Sequence, residues 1–151
     1  MHLSMFLVAE IRYMDTKEFL ETQGKDKQEL KEIKREVLDN AFYVTQDVNL
    51  FEEPSEQVLD YLGTAILDLS SYFGYTITKE DISIPSHYNG EVDVIQFLQE
   101  EYFTREQFVA SMVFNIVKYT TRLGRKDDTY KELVKIFTYF VRLREGLSLY
   151  E

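Results

Sequence analysis

"DKQELKEIKREVLDNAFYVTQDVN", residues 26–49, decides the fold class. Leu30, Ile33, Val37, Ala41, Val44 and Val48 recur at steps of three and four. That spacing lays one stripe along an α-helix, where a half-buried strand would need strict alternation. Asp26 and Glu29 stand three apart at its start, the spacing of a capping box with Asp26 as N-cap. The stretch reads as one helix over roughly residues 27–49. Pro54 and Ser55 restart the chain. Val58, Leu62, Ala65, Ile66, Leu69 and Phe73 then trace a second apolar stripe, with Gly74 as its C-cap. Two long amphipathic helices joined by a short connection imply an antiparallel hairpin.

Working outward, Leu3, Phe6, Leu7, Ile11 and Met14 form a helical stripe with Glu10 as a polar intruder. Met5, Leu7, Ala9 and Ile11 also alternate as a strand would; helix is the reading taken. Downstream, residues 75–90 read as a linker, with β-branched alternation suited to a short extended piece. A third helix is expected from about Glu91 to Tyr102. Thr104 and Gln107 form a capping box that opens a helix to Leu123, stopped by Gly124. Asp127 or Asp128 caps a last helix, with Leu133, Ile136, Phe137, Phe140 and Val141 inward and Gly146 as terminator. There is no internal repeat. The expectation is an all-α single domain over residues 1–151, with an acidic helical hairpin region at 1–83 and a second region at 84–151.

Composition bounds the function. A chain of 151 residues with 44% hydrophobic and 29% charged content is long enough to bury a core and is not of disordered type. Its net charge of −10 opposes binding to duplex nucleic acid or an anionic membrane, though a local basic pocket for a small anion remains compatible with it. The lack of cysteine excludes disulfides, thiolate nucleophiles and cysteine-ligated metals. His2 and His87 are too few for a histidine-rich metal site. The apolar start is too short to span a bilayer and has no basic n-region or cleavage pattern, so the expected location is cytoplasmic. Eleven Tyr and eleven Phe are many for one small helical core, which points to a homo-oligomer, with sites between subunits.

Charge is unevenly placed. Residues 1–83 carry eight Lys/Arg against seventeen Asp/Glu, and residues 84–151 carry nine against ten, so the second region is the better host for an anion. Within it, "NIVKYTTRLGRKDD" (115–128) gathers Lys118, Arg122, Arg125 and Lys126 before any carboxylate. At about 100° per residue, Asn115, Lys118, Tyr119 and Arg122 share one flank of the helix. Cations near a helix C-terminus are stabilised by the macrodipole without any ligand. Here, however, point charges, planar guanidinium forks, an amide and a phenol stand together, the mixture that phosphate and nucleobase recognition uses. The second candidate is "IPSHYNG" (84–90): Pro85 and the Asn89-Gly90 turn bracket Ser86, His87 and Tyr88 on a short loop. The competing structural role is capping of the next helix by Ser86 or Asn89 while His87 and Tyr88 pack.

"PSHYNGEVDVIQF", followed by "FVASMVFNIVKYTTRLGRKDD" and "YKELVKIFTYFVRL", resembles a bacteriophage nucleotide-kinase-like domain family, mostly of unknown function. Its pattern is P-S-H-Y, an apolar helix, N-x-x-K-Y-x-x-R-x-G-K/R-K and a final amphipathic helix, and the likeness covers residues 84–143. The resemblance places its motif on Pro85, Ser86, His87, Tyr88, Asn115, Lys118, Tyr119, Arg122, Gly124, Arg125 and Lys126. It implies a nucleotide ligand in an infected bacterial cell, and a nucleoside monophosphate kinase without a P-loop as the activity. On that implication Mg²⁺ and ATP are the cofactors and His87 is the candidate acid or base. No G-x-x-x-x-G-K-[ST] is present. A catalytically inert reading, a sponge sequestering a cyclic nucleotide immune signal, uses the same phosphate and aromatic contacts without a reaction centre. The hairpin is also similar to MazG-type all-α nucleotide pyrophosphatases, whose Mg²⁺ carboxylates would fall on Glu29, Glu32, Glu36, Glu56 and Asp60. The expected E-x-x-D on the second helix is missing, and an acidic solvated face explains these residues. A protein-interaction module whose cations face an acidic partner is the remaining alternative.

Overall fold

The computed structural model describes residues 14–51, 56–82, 93–125 and 128–150. The helix expected at residues 3–14 falls almost wholly outside them, as do Ser86, His87, Tyr88 and Lys126. The protein is all-α, with no strand among the described residues. Among the described residues six helices follow in order: α1 (Thr16–Gln23), α2 (Gln28–Phe51), α3 (Glu56–Tyr72), α4 (Val94–Glu101), α5 (Arg105–Arg122) and α6 (Thr129–Gly146). Short 3₁₀ turns lie at Lys79–Asp81 and Leu147–Tyr150. No helix among the described residues is long and apolar enough to cross a membrane.

The apolar stripes become the core. Val37, Ala41 and Val44 of α2 meet Leu62, Ile66 and Leu69 of α3, all at most 5% exposed, with Ile116 of α5 and Leu133, Ile136 and Leu143 of α6. Long-range contacts set the directions. Lys34 near the start of α2 meets Thr121 and Leu123 at the end of α5. Arg122 at the end of α5 meets Glu132 at the start of α6. Asp60 near the start of α3 meets Arg144 at the end of α6. These neighbours are therefore antiparallel, and α2 and α3, which pack together across a four-residue connection, close the ring. The result is a four-helix bundle in which α3 and α5 point the same way. The chain between them must travel back along the bundle, and α4 belongs to that crossover.

Start signals mostly hold. Thr104 and Gln107 bond reciprocally at the head of α5, at 3.2 and 2.9 Å. Asp128 caps α6 by accepting from the Lys131 N–H at 3.3 Å. Four features differ from the sequence reading. The first backbone bond of α2 runs from the Lys31 N–H to the Lys27 oxygen, so Asp26 is not its N-cap; its carboxylate is used elsewhere. Helix α4 begins at Val94 because Asp93 accepts from the Ile95 and Gln96 N–H groups. Gly146 is the last residue of α6 and the chain continues into a 3₁₀ turn. It is glycine because a Cβ there would lie 2.5 Å from Phe108 Cζ, an aromatic ring fully buried in the core. Finally, α1 is a helix beyond those the apolar stripes mark, signalled by Asp15, Glu18 and Gly24. Asp15 accepts from the Glu18 N–H at 2.8 Å, and Leu20 is buried against the bundle.

Candidate functional site

The structure divides the basic stretch. Arg125 turns towards α1 and α2, where its guanidinium donates to Gln23 Oε1 at 3.1 Å and Asp26 Oδ2 at 3.3 Å. Asp26 also accepts from the Lys34 ammonium at 2.5 Å, and that ammonium is fully buried. Lys34 donates its other hydrogens to the Leu123 oxygen at 2.8 Å and the Thr121 oxygen at 3.1 Å. These carbonyls stand at the end of α5, where the helix leaves oxygens unsatisfied and its dipole favours a cation. Gly124 makes the turn with φ 85°, a left-handed conformation open to glycine. An ammonium has three donors, and all three are used.

Burial pushes the Lys34 pKa below the ordinary lysine value, the Asp26 bond and charge oppose this, and the Arg125 charge adds to it. Burial pushes the Asp26 carboxyl up, yet the bonds and charges of Lys34 and Arg125 outweigh it and hold the group below the usual carboxylate range. Lys34 sits on the same stripe as Leu30 and Val37, so a lysine inside an apolar periodicity was the available signal. Its partners could not be read from the sequence.

Lys118, Tyr119 and Arg122 lie on the other flank, facing α6. The Tyr119 ring stacks with that of Tyr139, centroids 6.0 Å apart and planes 14° from parallel. Three cations surround Tyr119: the Lys118 and Lys135 ammonium nitrogens at 5.2 and 5.1 Å from its centroid and the Arg122 guanidinium carbon at 5.2 Å. Lys118 and Lys135 are exposed and have no carboxylate partner among the described residues. Arg122 donates from Nη2 to Glu132 Oε1 at 2.8 Å. Asn115, one turn before Tyr119, donates to the Ser111 oxygen at 2.9 Å. Lys135 and Tyr139 were not singled out by the sequence; they come from α6, one turn apart, and only the packing of α5 on α6 brings them here.

Two further contacts bear on the Pro-Ser-His-Tyr segment, which is itself outside the described residues. Before it, Asp81 accepts from the Tyr130 hydroxyl at 2.6 Å. After it, Asp93 accepts from Arg142 at 3.0 Å. Both flanks are thus fastened to α6. Burial raises the Tyr139 phenol pKa, the Tyr119 charge adds to the rise and the Arg142 charge opposes it.

Of the carboxylates weighed for Mg²⁺, Glu56 and Asp60 both accept from Arg144, at 3.1 and 2.8 Å. Among the described residues no three His, Asp or Glu side chains gather into a group able to hold a metal ion.

Two outcomes follow from the buried lock. Lys34→Ala removes one partner of a buried pair and uncaps α5; urea unfolding is expected to show a loss of about 3–5 kcal/mol. Because the folded Asp26 pKa is depressed, its contribution is fully present above the unfolded value, near 3.9, and disappears as pH falls through the folded value. The stability gap between wild type and Asp26→Asn should accordingly be constant near neutrality and narrow below about pH 4. A gap independent of pH would show that Asp26 is not held as an ion.

Residues 82–141 match the model of a family described as a protein of unknown function, DUF3310. The matched span contains α4, α5 and the part of α6 that bears Lys135 and Tyr139, and its description assigns no activity. No curated protein and no solved structure matches the chain.

Proposed function

We propose that this protein binds a phosphate-bearing ligand, a nucleotide, on the α5–α6 face built from Lys118, Tyr119, Arg122, Lys135 and Tyr139. One observation carries the reading. Three cations converge on a single tyrosine ring in a chain of net charge −10, and its two lysines have no carboxylate partner among the described residues. Like charges crowded together repel, and the ring's quadrupole offsets this only in part, at about 0.5–1 kcal/mol per exposed contact. A multiply charged anion relieves the repulsion and gains charge-assisted hydrogen bonds from ammonium and guanidinium groups.

The Asp93–Arg142 bond supports the reading further, because it fastens a residue shortly after Ser86, His87 and Tyr88 in sequence to α6, the helix that carries Lys135 and Tyr139. Arg125 is held by Asp26 and Gln23, so it contributes to the shape of the site and the phosphate contacts fall to Lys118, Lys135 and Arg122. The resemblance to the phage nucleotide-kinase-like family supplies the nucleotide and adds phosphoryl transfer to a nucleoside monophosphate as the activity. Sequestration of a cyclic nucleotide uses the same face without turnover.

The test equilibrates the protein with a panel of nucleoside mono-, di- and triphosphates and cyclic nucleotides, with and without ATP-Mg²⁺, and identifies both the retained ligand and any product. Retention is expected, weakened by about 1–3 kcal/mol in Lys118→Ala or Lys135→Ala with the fold unchanged by circular dichroism. If the wild type retains nothing, the reading fails. We also propose self-association, on the exposed aromatic residues Phe42, Tyr43 and Phe114 of α2 and α5. Light scattering at micromolar concentration should give at least twice the 18.0 kDa chain mass; the monomer mass would remove this part.

A further inference from the structure

Glu132 is the unusual carboxylate of the candidate face. It is 3% exposed, in the first turn of α6. Its Oε1 accepts from Arg122 Nη2 at 2.8 Å, while Oε2 is buried with no hydrogen-bond partner. A carboxylate facing a guanidinium commonly engages it through both oxygens in a bidentate fork. Here a buried carboxylate holds the guanidinium through one, and its other oxygen bears the cost of lost hydration. The two partners differ in access: the Arg122 side chain is 36% exposed and that of Glu132 is 4% exposed. Arg122 therefore spans from a buried acid to the outer ring of cations around Tyr119.

We propose that Glu132 is a built-in counter-ion that competes with the bound anion for Arg122 and so sets the affinity of the face. The inference rests on the anion-binding reading above. Lys118 and Lys135 meet an incoming phosphate without exchanging a carboxylate partner, whereas Arg122 is already bonded to Glu132 and must loosen that bond to turn to the anion. The Glu132 charge also opposes the ligand directly. A unit charge about 8 Å away at an effective dielectric constant of about 20 changes affinity by more than tenfold. Loss of the Glu132 bond also lets Arg122 move more freely, but Tyr119 still draws the guanidinium to the face, so the charge effect decides the sign.

Calorimetric titration with inorganic tripolyphosphate tests this in wild type, Glu132→Gln, Arg122→Gln and the double variant. Glu132→Gln is expected to bind on the order of tenfold more tightly than wild type, and the gain should be smaller when Arg122 is also changed, because only the direct charge effect then remains. Binding by the wild type with equal or weaker binding by Glu132→Gln overturns the competition and leaves the anion-binding reading in place. A gain that persists undiminished in the double variant overturns it as well, because Arg122 would then not be the contested group. Absence of binding in wild type and all variants overturns the anion-binding reading, and this inference with it. If Glu132→Gln does not fold by circular dichroism, Glu132→Asp replaces it. The shorter acid keeps its charge but withdraws from Arg122, so a smaller gain, from release of the guanidinium alone, is the expected result, and equal or weaker binding overturns the competition.

Discussion

A buried ammonium ties the protein together at the end of α5. Lys34 projects from α2 into the end of α5, donates to the carbonyls of Thr121 and Leu123, and closes its third bond on Asp26. Desolvating an ammonium costs several kcal/mol, and it is tolerated where opposite charge and acceptors take up every donor. Here the helix end supplies partial negative charge and Asp26 a whole one. The lock joins three segments far apart in sequence: the turn before α2, the body of α2 and the last turn of α5.

That lock divides the cationic stretch into two parts. Arg125 follows Gly124 around the turn and completes the coordination of Asp26, so its charge is spent inside the fold. Lys118 and Arg122 project from the opposite flank of α5, towards α6. A run of cations that looks like one patch in a line of letters becomes a structural cation on one side of a helix and cations gathered around Tyr119 on the other. The acidic balance of the chain makes the second part conspicuous, since most other described lysines and arginines with short-range partners face carboxylates.

The topology ties the described ends of the crossover to the helix that builds half of this face. Since α3 and α5 run in the same direction, the connection between them must recross the bundle, and its described ends are both fastened to α6, by Asp81 to Tyr130 and by Asp93 to Arg142. Helix α6 thus serves as the backbone of the candidate site. It gives Lys135 and Tyr139 to the ring of groups around Tyr119, Glu132 to Arg122, and anchors to the crossover.

What could be read from the chain alone was whatever depends on neighbours in sequence. The three- and four-residue spacing of Leu30 to Val48 and of Val58 to Phe73 dictates helices because side chains on one face must be buried together. The Thr104–Gln107 box and Asp128 work as caps because their bonds reach only three residues. Even here Asp26 shows the limit. Its spacing to Glu29 suits a cap, yet an ammonium eight residues on and a guanidinium ninety-nine residues on bind it instead, because charged partners outcompete a backbone N–H. Tertiary structure alone decided that Lys34 lies inside, that Arg125 and Arg122 part company, and that Lys135 and Tyr139 complete the face around Tyr119. Each of these is a meeting of residues from different helices. Helical periodicity says which side of a helix is apolar; it does not say which helix will lie against it.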